Sequence, residues 1–196
     1  MKKTASLLAV LLMTLLLSVR SEASYDPKVD YLSIMLRAAA CGDIEAGRAA
    51  EICRNEKIDK TGSDEIKISF QDLFLLSKII TSEAGSERLS DEWRMCVGEV
   101  VLNRVASPEF PGTVKEVIMQ EGQYAGVNTD EFIYYLNPTE ASVDAALRLL
   151  QGERLMEPCV VFQANFEQGG SIYKKFYDSL YGYTYFCTTS YPELYR

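Results

Sequence analysis

Apolar residues recur at helical spacing along most of this chain and give way to alternation only near its end. Leu73, Leu76, Ile79 and Ile80 step by three and four, which predicts one amphipathic helix. Ser69 precedes it with Asp72 three residues on, in capping-box form, and Gly85 supplies a stop. Ser90 caps a second helix, in which Trp93, Cys96, Val97, Val100, Val101 and Val105 form a wide apolar face suited to the centre of a core. Thr113 and Glu116 mark a short helix reaching Gln120, and Pro138 opens another that carries Val143, Ala146, Leu147, Leu149 and Leu150. Residues 121–136 hold glycines and aromatics without a period, as a groove-lining loop would. Cys159-Val160-Val161-Phe162 is a short strand candidate. Tyr173, Tyr177 and Tyr181 step by four, whereas Tyr181, Tyr183 and Tyr185 step by two; the change at Gly182 predicts a helix giving way to a strand.

The N-terminal part reads differently. Asp26-Pro27 has the form of an N-cap and first helical position, opening a helix through about Ala40. Gly42-Asp43 breaks it, and a second helix follows to about Asn55. Residues 56–67 are charged and contain Thr61-Gly62-Ser63-Asp64, which predicts a linker. The expected organisation is therefore α+β: a helical extension over 24–66, then a mostly helical domain with a small antiparallel sheet over 67–196.

The first residues carry a basic start at Lys2 and Lys3, an apolar run over 7–17 broken by Thr14, and a small-x-small site at Ser21-Glu22-Ala23. That is the pattern of a secretory signal over 1–23, shorter than the ~20 apolar residues a spanning helix needs. Export, with no stable membrane insertion after cleavage, is the expectation. Removal of Lys2, Lys3, Arg20 and Glu22 takes the net charge from −8 to −10, which argues against nucleic-acid binding. The chain has no histidine, closing most other catalytic readings. Its five cysteines are Cys41, Cys53, Cys96, Cys159 and Cys187; in an exported chain the pairing Cys41–Cys53 and Cys159–Cys187 is expected, with Cys96 a buried apolar residue. Without histidine or a C-x2-C pair a zinc site has little support, and no metal or cofactor is implied.

Four segments stand in order: Ser82-Glu83-Ala84-Gly85; Val100-Val101-Leu102-Asn103-Arg104-Val105; Ser107-Pro108-Glu109-Phe110-Pro111; and Gly122-Gln123-Tyr124. Over roughly residues 68–190 this set resembles the SleB-type cell wall hydrolases, the spore cortex-lytic enzymes. The resemblance implies a lysozyme-like fold and a secreted enzyme, associated with the cell wall or spore, acting on the glycan strands of peptidoglycan. It implies lytic transglycosylase chemistry at the bond between N-acetylmuramic acid and N-acetylglucosamine, with Glu83 as the catalytic acid. The residues themselves suit that role. Glu83 follows a buried helical face and sits in the last turn, where burial and the negative end of the helix dipole both favour a protonated carboxyl. Gln123 and Tyr124 match a cleft-lining element, an amide for acetamido groups and an aromatic face for a pyranose; a loop held by its own Gln and Tyr is the structural alternative. Asn103 and Arg104 read as ties between helix and loop.

The family commonly carries histidine where this chain has Gln163 and Tyr183, which makes those two residues substrate-binding candidates. Hydrolysis in place of transglycosylation would require a second carboxylate about 5–9.5 Å away, for which Glu87, Asp91, Glu99 and Asp130 are available. A glycan- or partner-binding protein that kept the fold but lost turnover is the alternative class. The segment 24–66 lies outside the resemblance, as a helical extension packed on the domain or a docking element for a protein partner.

Overall fold

The computed structural model describes residues 26 and 28–195; the expected signal over 1–23 and Pro27 lie outside them. Helix α1 (Tyr31–Cys41) starts later than Asp26-Pro27 suggests. Its cap is Asp30, whose carboxylate accepts from the Ser33 amide at 3.1 Å and the Ser33 hydroxyl at 2.6 Å, so Asp30 satisfies the orphan donors and Asp26 is left outside. Gly42, at φ +72°, closes the helix in the left-handed region. Asp43 then caps α2 (Ile44–Thr61). This helix runs through much of the expected linker, because Glu56, Lys57 and Lys60 are good helix formers and Ile58 is buried. Gly62 ends it at φ +64°. The link that remains is pinned by buried Arg54, which donates to the Ile66 carbonyl at 2.9 Å and to Glu65 at 3.1 Å.

The caps read from the sequence organise the next three helices. Ser69, Ser90 and Thr113 accept from the amides of Asp72, Trp93 and Glu116 and begin α3 (Phe70–Ala84), α4 (Asp91–Val105) and α5 (Val114–Met119). Gly85 follows α3 in a right-handed conformation, its amide bonded to the Thr81 carbonyl. Loop 121–136 is irregular up to a π-helical turn (Glu131–Tyr135). Helix α6 (Glu140–Leu150) is capped by Thr139 and not opened by Pro138.

The stretch from Tyr173 to Tyr181 is the larger correction. It is not helical: β2 (Ile172–Asp178) and β3 (Gly182–Thr188) form an antiparallel hairpin, with β1 (Val160–Ala164) on the other side of β3. The four-residue tyrosine spacing is equally a multiple of the strand period of two. The molecule is thus α+β, mostly helical with a small antiparallel sheet.

Leu73, Leu76, Ile79 and Ile80 of α3 meet Val97, Val100 and Val101 of α4 and Leu149 of α6 in one fully buried core. Gly98 permits a close approach of the three helices, since a Cβ there would lie 2.7 Å from Ile80 and 2.6 Å from Leu149. Helices α1 and α2 share this core through Met35, Ala39, Ala50 and Cys53. All five cysteines are free thiols, so the expected pairing does not form. Cys41 is exposed at the end of α1 whereas Cys53 is buried within α2. Cys187 is opposite Phe162 and Ile172, and Cys159 lies beyond an irregularity in the β1–β3 register. Cys96 is buried, as expected, and its thiol is pushed up to about 12, chiefly by burial.

Candidate active site

Helix α3, held in the core by its apolar face, delivers Glu83 one residue before its end. The segment after it is fastened on two sides. Arg94 donates to the Ser86 carbonyl at 2.8 Å, and Arg88 reaches Asp178 and Ser179 of the hairpin at 3.2 Å each. Loop 121–136 is fastened to the same helix by Lys78, which is buried between the Phe74 and Phe132 rings and donates to the Ile133 carbonyl at 3.1 Å. The end of α4 is tied to β1: Asn103 donates to the carbonyls of Glu157 and Val160 at 3.0 Å each, and Arg104 Nε donates to that of Val161 at 2.6 Å.

These elements enclose a cleft of about 540 Å³ lined by Glu83, Arg104, Gln123, Tyr124, Gln163 and Phe166, among others. Gln163 Nε2 donates to Glu83 Oε2 at 3.3 Å. Although Glu83 as a residue is exposed, its carboxyl faces the cleft walls. Loss of solvent there raises its proton affinity, against the smaller opposing pull of the Gln163 hydrogen bond. The arrangement suits a carboxyl that gives up a proton to a bound group and then takes one back.

Arg104 is only 2% exposed. Its guanidinium lies over the rings of Phe110 at 5.0 Å and Tyr124 at 5.4 Å. With its bond to Val161 this makes it the clamp that joins helix, loop and strand, in keeping with the role read for Asn103 and Arg104. Tyr124 is buried, and its hydroxyl is pushed up to about 12 by burial despite the opposing Arg104. It therefore stays a phenol. The Tyr124 hydroxyl and Gln163 Oε1 have no protein partner, leaving polar capacity in the wall of the cleft.

Of the residues picked out in the sequence, Glu83, Gln123, Tyr124 and Gln163 are brought together; Tyr183 is not. On β3 it is Thr184 that lines the cleft, and neighbouring strand residues point to opposite faces, so Tyr183 is directed away. None of the second-carboxylate candidates lines the cleft either. Glu99 is fully buried and accepts the amides of Leu155 and Met156 at 2.8 and 3.0 Å, and Asp91 pairs with Arg94 at 2.8 Å. Glu87 and Asp130 are exposed and are not among the lining residues. Among the described lining residues Glu83 is the sole carboxylate. Phe166 was not foreseen. It stands 59% exposed at the cleft in the loop after β1, and an unpatterned aromatic just past a strand is the sequence signal that could have found it. Trp93, read as core, stacks on Phe176 at 5.1 Å and also reaches the cleft. Among the described residues no group of three or more Cys, Asp or Glu side chains could hold a metal ion, and no helix is long and apolar enough to cross a membrane.

No curated protein and no solved structure compared with the chain matches it. Residues 90–179 match the family model described as Cell Wall Hydrolase. The matched segment includes Gln123, Tyr124 and Gln163 and begins after Glu83, so the place of Glu83 in the site rests on the geometry of the cleft. With that geometry, the match supports a cell wall hydrolase family for the part of the chain from α4 through β2.

Proposed function

We propose that this protein is an exported peptidoglycan-degrading enzyme, a lytic transglycosylase cleaving the bond between N-acetylmuramic acid and N-acetylglucosamine. The observation that carries the reading is a single carboxyl, Glu83, in a cleft with no other carboxylate among its described lining residues. Glu83 protonates the glycosidic oxygen, so the bond to the muramyl anomeric carbon breaks with N-acetylglucosamine leaving as the alcohol. The Glu83 carboxylate then accepts the proton of the muramyl 6-hydroxyl, whose oxygen bonds to that carbon. A 1,6-anhydro ring forms, no water is consumed and Glu83 regains its proton. A hydrolase of the two-carboxylate type would need its second acid about 5–9.5 Å from the first.

Gln163 orients Glu83 through its amide. Gln123 offers hydrogen bonds to acetamido groups, and Phe166 offers a flat face to a sugar ring. The absence of histidine favours a second reading, a glycan-binding protein with little turnover. Mass analysis of muropeptides released from purified peptidoglycan separates these. Sugar ends lighter by one water, lost on Glu83→Gln with a fall of about 10²–10⁴ in rate, are the expected result. Ordinary reducing ends would favour hydrolysis, and no release would favour the binding protein.

A further inference from the structure

Tyr183 does not enter the cleft, yet it is not an isolated surface residue. In the register of the hairpin Tyr177 is opposite Tyr183 and Lys175 is opposite Tyr185. Cross-strand partners project to the same side of a sheet. The intervening residues Phe176 and Phe186 face the other way, Phe176 onto Trp93 and Phe186 into the core. The outer face of the hairpin therefore carries a row of three tyrosines: the ring centroids of Tyr177 and Tyr183 are 4.8 Å apart and those of Tyr183 and Tyr185 are 5.7 Å apart. Tyr177 is 63% and Tyr183 45% exposed. Lys175 is exposed beside them, its ammonium 5.7 Å from the Tyr183 ring centre.

Aromatic cross-strand pairs stabilise a hairpin, but that does not require Tyr177 and Tyr183 to stand exposed beside half-buried Tyr185 with a cation alongside. We infer that this outer face is a second glycan-binding surface, separate from the cleft, on which a peptidoglycan strand lies with its pyranose rings against Tyr177, Tyr183 and Tyr185. Three observations select that occupant. The three rings are tilted against one another, by 46° and 35°, as one contiguous aromatic patch, and each tyrosine combines a flat apolar face with a hydroxyl, as sugars require. Lys175 supplies positive charge to meet the carboxylates borne by muramyl residues and their peptide stems, on a chain that is otherwise acidic. The surface also backs directly onto the cleft, because Thr184, between Tyr183 and Tyr185 on β3, lines the cleft from the opposite face of the same strand. A strand held on the outer face would keep the enzyme on an insoluble polymer between cleavage events.

The inference rests on the peptidoglycan reading above, and the test separates the two. The full chain carrying Glu83→Gln is mixed with insoluble peptidoglycan, and the retained fraction is measured by sedimentation. Soluble N-acetylglucosamine–N-acetylmuramic acid oligomers are titrated in parallel, with Trp93, the single tryptophan and a cleft residue, as a fluorescent reporter. Adding Tyr177→Thr and Tyr183→Thr, both strand-compatible, should cut retention at least fivefold and leave the Trp93 titration unchanged. Lys175→Glu, which keeps all three rings, should reduce retention about threefold and guards against a folding defect in the tyrosine variant. Retention unaltered in both variants overturns the inference. So does a tyrosine effect on self-association by sedimentation velocity without an effect on retention, which would make a second copy the occupant. Tyrosine-dependent retention with no Trp93 response would leave the outer surface standing while removing the cleft assignment.

Discussion

At Glu83 two opposing influences set the proton affinity, and their signs can be tested separately. Burial raises it, and the Gln163 amide, which bonds best to the anion, lowers it. A general acid works while protonated, so activity falls as pH rises through its pKa. Replacing Gln163 with Leu removes the lowering influence, and the alkaline limb of the pH profile of kcat/KM should move to higher pH even if the maximum drops. A limb that stays put or moves down would contradict the hydrogen bond's role. The same displacement has a consequence for stability. A carboxyl whose folded pKa is raised favours folding when protonated, and that advantage is lost as pH rises from its unfolded value through the folded one. Glu83→Gln mimics the protonated form. It should melt above wild type at neutral pH and converge with it as pH falls below the ordinary carboxyl range.

At the scale of elements, Gly47 decides how the N-terminal helices join the rest. A Cβ on Gly47 would lie 2.1–2.4 Å from three atoms of the Phe70 ring, the first residue of α3. Phe70 is fully buried and stacked with Phe74, so the ring has little room to withdraw. Gly47→Ala should therefore destabilise the protein by about 1–3 kcal/mol through overpacking, even though alanine is the better helix former by about 1 kcal/mol. Denaturant unfolding checks this; a stabilised variant would mean that α2 is only loosely docked. What was legible in the sequence follows from the same distinction between local and non-local causes. The caps at Ser69, Ser90 and Thr113 were readable because a cap acts within three residues of itself. The extent of α2 was not, since it depends on the burial of Ile58, which the charged residues around it do not signal. Nor was the hairpin, whose tyrosines satisfy both periods. Glu83, Gln123 and Tyr124 were picked out by ordered motifs and Gln163 by its place after the strand, and all four line one cleft, whereas Tyr183 lies one residue of strand parity from Thr184, which is enough to put it on the other face.

Across the whole molecule, charge and adhesion pull in opposite directions. The chain carries a net charge of −8, and the wall polymer proposed as its substrate is itself anionic, so approach is opposed at long range. The local exception, Lys175 on the tyrosine face, is one charge against that total. The Debye length shrinks from about 30 Å at 0.01 M salt to about 10 Å at 0.1 M. Over that interval the long-range repulsion is largely screened. Ring stacking acts at contact and is not screened, while the single close pair from Lys175 is weakened only modestly. Retention of the Glu83→Gln protein on insoluble peptidoglycan should accordingly rise between about 0.01 M and about 0.1 M salt, whereas a binder relying on cationic contacts would be released. With Lys175→Glu the rise should be steeper, because the repulsion being screened is larger. A retained fraction that falls with salt in both proteins would show that adhesion depends on positive charge located elsewhere than the tyrosine face.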